Sequence, residues 1–304
     1  MKLKVYQGPF IWLFALLYFT GFQSFAAEVA PAVKTSTITP LFWQLEHKGV
    51  KSYALGSVHL GKPSMYPLPE PIMAGFKATE TLVVEVDPGQ ENHALMRELV
   101  DEFGKDKKRD ILSWLSKPTQ HKYQAYCQKL SIPCHLFGNY RPWLVSVTLA
   151  SHSFMRSGFD AKLGIDQYFL AQANNKKPVI ELETLESQFA LFAGMSAALQ
   201  EEMLLQSMTE DSEDFINLVN MWSKGDEKGM IKMFSEVKDP ALKTLFVEKM
   251  LIERNHGMAG GLLGELKRGK TLFVVVGTAH LIGEQNVLSL LQKGGIKVTR
   301  IDLK

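Results

Sequence analysis

The chain has 304 residues, of which 46% are hydrophobic and 22% charged, a composition typical of a globular rather than a disordered protein. Its 34 basic and 32 acidic side chains nearly balance, so neither nucleic acid nor an anionic membrane surface is an expected partner. The length is enough for one large domain, or for one domain with a sizeable insertion.

The first 26 residues have the features of a secretory signal peptide. Lys2 and Lys4 form a basic start, residues 10–22 are mostly apolar, and Ser24 and Ala26 are small residues where signal peptidase cleaves. An uncleaved anchor is the alternative, but the apolar run is short for a membrane span. Cleavage after residue 26 of the 304 leaves 278 residues, and without the two lysines they carry 32 basic and 32 acidic side chains. We therefore expect a periplasmic or secreted protein with no stable membrane span.

Residues 41–304 are predicted to form a single domain that begins with a hairpin. Residues 27–40 before it are rich in alanine, proline, threonine and serine, and we expect a flexible leader there. Apolar runs at 41–45 and 51–55 predict two antiparallel strands joined by a turn. Prolines between residues 62 and 71 predict a loop, which would lie over the mouth of any site at the end of the second strand.

The rest of the chain passes from strand signals to helix signals and back. The remaining predicted strands are 81–86, 178–182, 271–276 and 297–303. The predicted helices are 71–78, 92–103, 119–130, 141–155, 160–173, a block from Thr184 to about 266, and 284–293. We therefore predict an α/β fold whose mixed sheet core is formed by N- and C-terminal strands, with large helical insertions near 90–175 and 185–265.

The two cysteines, Cys127 and Cys134, are close together in the sequence. Outside the cytosol such a pair is able to form a small disulfide loop, and two buried thiols are the alternative. The sequence leaves these alternatives open.

Two short segments at opposite ends of the chain each present a histidine after an apolar run. One reads Gly-Ser-Val-His-Leu and the other Gly-Thr-Ala-His-Leu, with His59 and His280 in the fourth position. Open α/β sheets place their chemistry beyond the carboxyl ends of strands, where both histidines are expected. One such histidine is more often structural, but two in matching contexts favour a shared metal site. Ser57 and Thr278 are expected to support it by hydrogen bonding.

Glu85 is the carboxylate within the apolar strand predicted at 81–86. A buried carboxylate is costly unless it is paired or coordinated, and the alternative is an outward position at a sheet edge. Apolar residues on both faces of the strand favour burial. Two histidines and one carboxylate are a standard open metal set, so Glu85 is a candidate third ligand or a candidate general base for water.

Arg254 and Asn255 lie near the end of a helical pattern. One interpretation is a solvated last turn, since arginine favours helix C-termini. The other is a guanidinium that stabilises negative charge developing on a carbonyl oxygen. Asp166 and Glu183 are further acidic candidates, which the pattern alone interprets as a helix cap and a strand-end cap.

Taken together, these segments make the chain similar to the TraB/GumN family, whose relatives include the animal Tiki proteases. The resemblance runs from about Phe42 to Ile301. It depends on the order of several motifs, and Arg141 stands where the family often has lysine. The motifs are ALGSVHLG at 54–61, VVEV at 83–86, RPWL at 141–144, GIDQYFLAQA at 164–173, KPVIELETLESQ at 177–188, ERNHGMA at 253–259 and FVVVGTAHLIG at 273–283.

The resemblance implies an α/β core with inserted helices and one site built from His59, Glu85, Arg254, Asn255 and His280. Animal relatives are divalent-metal-dependent proteases that act on secreted proteins. Other members are linked to the shutdown of a conjugation pheromone or lie near polysaccharide genes. Family membership therefore supports the site more strongly than it supports a substrate.

Three functional hypotheses follow. The first is a periplasmic or secreted metal-dependent hydrolase that cleaves peptides, using Mn²⁺, Co²⁺ or Zn²⁺ held by the two histidines and Glu85. Arg254 and Asn255 would then hold the substrate or its oxyanion. The second is a protein that sequesters a peptide or small ligand without turnover. The third is an interaction protein with structural histidines, which a separation of the two imidazoles by much more than about 7 Å would support.

Overall fold

The computed structural model describes residues 38–89, 93–174, 176–209, 212–236 and 243–303. The expected signal peptide at 1–26 and most of the expected leader lie outside the described residues. The last residues of that leader pack on the domain, because Ile38 is buried and the Thr39 backbone N–H donates to the carbonyl oxygen of Ser223 at 2.7 Å. Within the described ranges, no helix is long and apolar enough to cross a membrane.

In the described part of the chain, six strands form one sheet in the order β4-β3-β5-β2-β1-β6. The strands are β1 (Phe42–His47), β2 (Val50–Ser57), β3 (Thr81–Val84), β4 (Val179–Glu181), β5 (Leu272–Gly277) and β6 (Lys297–Arg300). β4, β3, β5 and β2 run parallel to one another, whereas β1 is antiparallel to both β2 and β6. The predicted α/β fold with a mixed sheet is confirmed.

The strands form where the sequence pattern requires them. β5 begins with five apolar residues that are all buried, as expected for a parallel strand covered on both faces. β1 and β2 form the predicted hairpin, and its turn places Lys48 and Gly49 at φ values of 49° and 82°. Two consecutive positive φ values match the right-handed twist of a two-residue hairpin, and glycine at the second position adopts them without strain.

Helices occupy the two predicted insertions. The helices are α1 (Glu70–Ala78), α2 (His93–Leu99), α3 (Ile111–Trp114), α4 (Lys117–Leu130), α5 (Pro142–Arg156), α6 (Ile165–Ala173), α7 (Leu185–Ala193), α8 (Ala197–Thr209), α9 (Ser212–Ser223), α10 (Glu227–Ser235), α11 (Glu253–Lys267) and α12 (Val287–Lys293), of which α1 and α12 lie outside the insertions. A π-helical segment, Leu245–Ile252, runs directly into α11. The predicted cap of α7 is present, because Thr184 and Ser187 exchange hydrogen bonds as a capping box. The short α3 was not predicted, and its four residues are too few to show helical periodicity.

An aromatic cluster holds α1 and α6 against the sheet. Phe273 of β5 lies 5.4 Å from the ring centre of Phe76 in α1 and 4.7 Å from that of Phe169 in α6. All three side chains are buried. Because burial of aromatic side chains contributes strongly to stability, this cluster fixes the start of α6 close to the ends of the strands.

A second, smaller hydrophobic cluster surrounds a disulfide between Cys127 and Cys134, whose Cα atoms are 5.9 Å apart. The bond joins α4 to the turn that follows it, and it resolves the alternatives that the sequence left open. It packs against the buried Val145 and Leu149 of α5. A structural disulfide is typical of proteins that fold in an oxidising compartment.

Candidate functional site

Three strands end at the same edge of the sheet and bring the predicted residues together. Glu85 directly follows β3, His59 follows β2 by two residues, and His280 lies in the 3₁₀ turn after β5. Because these strands are parallel, their carboxyl ends meet, as expected for a site in an open α/β sheet. All three side chains line one cavity of about 50 Å³.

Gly277, the last residue of β5, marks the point where the three side chains converge. A β-carbon built on Gly277 would stand 3.0 Å from Glu85 Oε1, 3.5 Å from His59 Nε2 and 3.6 Å from His280 Cδ2. Both imidazole rings therefore border the same small volume, as a shared site requires. Because glycine has no side chain, this volume stays open between the three functional groups.

The hydrogen bonds of His280 fix its tautomer. Its Nδ1 lies 2.7 Å from Asn255 Oδ1, while Asn255 Nδ2 donates to the carbonyl oxygen of Gln285 at 3.0 Å. Since the amide nitrogen is committed to a carbonyl, the amide oxygen must accept from Nδ1–H, and Nε2 carries the lone pair. Burial lowers the pKa of His280 to about 4. The ring is therefore neutral near pH 7, and its Nε2 is buried without a hydrogen-bond partner among the described residues.

His59 is oriented by Asp166 in the first turn of α6. Nδ1 of His59 lies 2.8 Å from Asp166 Oδ2, and Ser57 Oγ donates to Asp166 Oδ1 at 2.8 Å. Burial lowers the pKa of His59, but Asp166 outweighs it by charge and hydrogen bonding, so the net pKa is raised. The contact directs Nε2 of His59 toward the cavity and gives Ser57 its predicted supporting role.

Close approach of two chain segments places Asp166 beside His59. Gly61 and Asp160 exchange backbone hydrogen bonds of 3.0 and 2.9 Å. A β-carbon on Gly164 would lie 2.3 Å from the carbonyl oxygen of His59, a distance that no side chain permits. Glycine is therefore required where the start of α6 crosses the histidine turn.

Glu85 is held by a backbone group and a buried arginine. Its Oε1 accepts the Gly277 N–H at 2.5 Å, and its Oε2 accepts Arg254 Nη2 at 2.9 Å. Burial alone raises the pKa of Glu85, but the neighbouring His280, Arg254 and His59 outweigh it and lower the pKa below its usual range. Glu85 is only 2% exposed, so the arrangement keeps an ionised carboxylate in the interior.

Arg254 in turn is clamped by Glu183, which follows β4. Nε and Nη2 of Arg254 donate to the two oxygens of Glu183 at 2.7 and 2.6 Å, and Nη1 donates to the carbonyl oxygen of Met250 at 3.1 Å. Gln188 donates a further bond to Glu183 at 2.9 Å. This two-point geometry is the strongest form of an arginine–carboxylate pair, and it fixes the guanidinium beside Glu85.

The structure corrects the predicted position of Arg254 and Asn255. They lie in the first turn of α11, in the middle of a continuous helical segment, and not at a helix end. The glycines that follow them look like a C-terminal signal, but the helix continues through all of them. Arg254 is therefore a buried residue of the site and not part of a solvated last turn.

The local sequence pattern does not reveal that Asp166 and Glu183 belong to the site. Each stands where an acid near a helix start is common, so the local pattern suggested capping. The structure makes them the partners of His59 and Arg254 across large distances in sequence. The sequence does offer one indication of these roles. If His59 and Arg254 are buried, each requires a hydrogen-bond acceptor, and an acidic side chain is able to supply it.

Two helices cover the site with apolar side chains. The same cavity that the histidines line is also lined by Phe215 and Leu218 of α9 and by Met230 and Phe234 of α10. The cavity thus has a polar floor from the strand ends and an apolar roof from α9 and α10. Water-poor surroundings of this kind strengthen the electrostatic interactions of the floor.

Comparison with known proteins agrees with this architecture. The sequence model of the TraB/PrgY/gumN family matches residues 41–300. The chain belongs to this family. Among curated relatives, the protein called "Uncharacterized protein YbaP" from Shigella flexneri is 24% identical over 245 residues, which cover 79% of this chain and 88% of the relative. The protein of the same name from Escherichia coli (strain K12) is 23% identical over 244 residues, covering 79% and 87%. No solved structure matches the chain.

The donor atoms of this TraB/PrgY/gumN protein fit a divalent metal ion in their chemistry. His280 Nε2 is a buried lone pair without a partner in the described part of the chain, and His59 Nε2 and Glu85 Oε1 reach the same point. The described residues hold no ready-made group of three or more His, Cys, Asp or Glu side chains for a metal ion. Both oxygens of Glu85 are engaged by Gly277 and Arg254. A divalent ion would therefore have two imidazole nitrogens and one carboxylate oxygen as its protein ligands, which is a common combination in metal sites.

Proposed function

We propose that this protein is a periplasmic or secreted metal-dependent hydrolase that cleaves peptide bonds. The observation that carries the proposal is a pair of buried acceptors that face each other. The lone pair of His280 Nε2 lies 3.9 Å from the ionised Glu85 Oε1. Two buried acceptors without a donor between them are unfavourable, and a cation or a proton donor at that point relieves the conflict.

The charge of the site favours a cation. Three carboxylates, Glu85, Asp166 and Glu183, are buried or nearly so, and among the described groups around them Arg254 is the one permanent cation. Protonation of His59 would compensate one negative charge, but His280 stays neutral. A buried excess of negative charge is costly, and a divalent ion would offset it.

His59, His280 and Glu85 would hold the ion, and Mn²⁺, Co²⁺ and Zn²⁺ are all compatible with them. A divalent ion, when bound there, acts as a Lewis acid that polarises a carbonyl group and makes a water molecule more acidic. The lowered pKa of Glu85 keeps the carboxylate ionised, so it is available to bind a cation or to accept a proton.

The remaining polar residues support this set by positioning it. Asp166 orients His59, and Asn255 orients His280. The guanidinium of Arg254 donates its hydrogen bonds to Glu183, Glu85 and the carbonyl oxygen of Met250. These contacts favour positioning roles for Arg254 and Asn255 over the direct contact with substrate that the sequence suggested.

The disulfide supports the proposed location. Cytosolic thiols are kept reduced, so a structural bond between Cys127 and Cys134 suits a secreted or periplasmic protein. The apolar and basic pattern of residues 1–26 points the same way.

The test measures cleavage of a peptide mixture by untagged protein that was purified without chelators. We expect cleavage after addition of Mn²⁺, Co²⁺ or Zn²⁺, loss of cleavage with a chelator, and loss in both His59→Ala and His280→Ala. The control is His256→Ala, which removes an exposed histidine from α11 and should retain activity. Equal cleavage in all samples would refute the mechanism. Tight retention of a peptide without any product would instead identify a sequestering protein.

Asp166→Asn tests the orientation of His59. The substitution keeps the shape of the side chain and removes the charge that holds the ring, so we expect divalent-ion affinity and peptide cleavage to fall about ten- to hundred-fold. The matched control is Asp160→Asn, at an exposed aspartate that caps the 3₁₀ turn before α6. It should leave affinity and cleavage unchanged. Calorimetric titration with Mn²⁺ separates the loss of ion binding from a loss of turnover, and equal affinities of the two variants would contradict the assigned role.

A further inference from the structure

The roof of the cavity is apolar, in contrast to its polar floor. Its four side chains, Phe215, Leu218, Met230 and Phe234, all come from α9 and α10 and carry no hydrogen-bonding group except a weakly accepting thioether. The histidines and Glu85 of the floor line the same cavity. A group that enters this cavity therefore meets polar atoms from the strand ends and apolar side chains from the two helices.

The roof is fixed to the body of the protein. Phe215 stacks on Phe154 and meets Phe159 edge-on, with ring centres 4.4 and 4.5 Å apart. Trp222, at the end of α9, is fully buried and donates from Nε1 to the carbonyl oxygen of Gly56 at 2.8 Å. Since a firmly packed wall keeps its shape, the cavity selects its contents by size as well as by polarity.

The turn between the two helices is anchored as well. Arg300 of β6 donates to the carbonyl oxygen of Gly225 at 3.1 Å and to Glu227 at 3.2 Å. Met230, one turn into α10, is only 1% exposed, so its side chain is a tightly packed part of the cavity wall.

The size of the cavity limits what it accepts. A volume of about 50 Å³ exceeds the roughly 10–15 Å³ of cavity volume that one water molecule needs, and it is well below the roughly 150 Å³ of a cavity that binds benzene. A side chain with one to three carbon atoms fits such a space, whereas an aromatic ring does not. A polar side chain would lose its hydrogen bonds to water against the apolar roof.

We propose that α9 and α10 form the specificity pocket of the site, which accepts a small apolar side chain next to the bond to be cleaved. The inference rests on the proposed peptidase function and adds the class of substrate to it. Alanine and valine are the side chains of suitable size and polarity. Each misplaced methylene in such a pocket is expected to change the specificity ratio about 10- to 200-fold.

The test compares Met230→Ala with Met233→Ala. Both remove the same side chain from α10, but Met230 lines the cavity, while Met233 lines a separate groove. Each full-length protein is incubated with Mn²⁺ and a synthetic peptide mixture of randomised sequence, and the cleavage sites are read by mass spectrometry. For the unchanged protein and Met233→Ala, we expect alanine and valine to be enriched beside the cleaved bond.

For Met230→Ala, the enlarged cavity should move the preference toward leucine and phenylalanine by about ten-fold or more. Phe234→Leu, at a partly exposed position, is a milder second enlargement that keeps the test decisive if Met230→Ala fails to fold. Cleavage with no apolar preference, or with the same preference in all variants, would overturn the inference and leave the peptidase function standing. Absence of cleavage by the unchanged protein would overturn both.

Discussion

Replacing Arg254 with methionine is expected to lower the free energy of unfolding by about 3–5 kcal/mol. Arg254 bridges Glu85 and Glu183, and its guanidinium is only 10% exposed. Methionine approximates the volume of the aliphatic stem but leaves two buried carboxylates facing each other. The unpaired charges, rather than lost packing, account for most of the expected cost. Urea denaturation followed by far-ultraviolet circular dichroism measures it.

Two further variants test whether the lost free energy of unfolding comes from unpaired charges. Adding Glu183→Gln to Arg254→Met removes one of the unpaired carboxylates, so we expect the double variant to recover at least about 1 kcal/mol. Arg268→Met is the matched control, because Arg268 ends the same helix but forms an exposed pair with Glu265. It should cost no more than about 0.5 kcal/mol. A cost below about 1 kcal/mol for Arg254→Met, or a double variant less stable than the single one, would contradict this assignment.

The pH dependence of Arg254→Met follows from the groups around Glu85. Without the guanidinium, burial is opposed only by the histidines, so the pKa of Glu85 in the folded state rises relative to the parent protein. A raised folded-state pKa adds stability at low pH and removes it as the pH increases. We therefore expect the stability deficit of Arg254→Met to shrink as the pH is lowered from neutral.

The fold was predictable where the sequence pattern is local. The five buried apolar residues at the start of β5 identify a parallel strand without any knowledge of its neighbours. The turn at Lys48-Gly49 likewise identifies the hairpin of β1 and β2. The strand order was not predictable, because placing β5 between β2 and β3 depends on how the large helical insertions pack.

The site shows the same division between local and long-range information. His59 and His280 stand out because each follows an apolar strand, and strand ends meet at one edge. Glu85 stands out because it is a carboxylate within an apolar run. Asp166 and Glu183 carry no such mark, because an acid near a helix start looks the same whether it caps the helix or binds a distant cation.

Gly277→Ala is expected to reduce divalent-ion binding and peptide cleavage more than hundred-fold with little effect on folding. Gly277 has φ −49° and ψ 133°, a conformation that alanine adopts readily, so the backbone is not strained. The added methyl group would stand between Glu85 Oε1 and the two histidine rings. It would fill the point that the three groups share. Calorimetric titration with Mn²⁺ and the peptide-cleavage assay measure the loss, and urea denaturation shows whether the fold persists.

Gly260→Ala is the control, since it adds the same methyl group to α11 in open space. It should leave cleavage unchanged and raise the free energy of unfolding by about 0.5–1 kcal/mol, because alanine is a better helix former than glycine. The comparison decides between the two interpretations of the histidines. If they are structural, a methyl group at Gly277 disturbs only local packing, and ion binding and cleavage match those of Gly260→Ala. If they act on a shared ion and substrate, the same methyl group abolishes both activities in a folded protein.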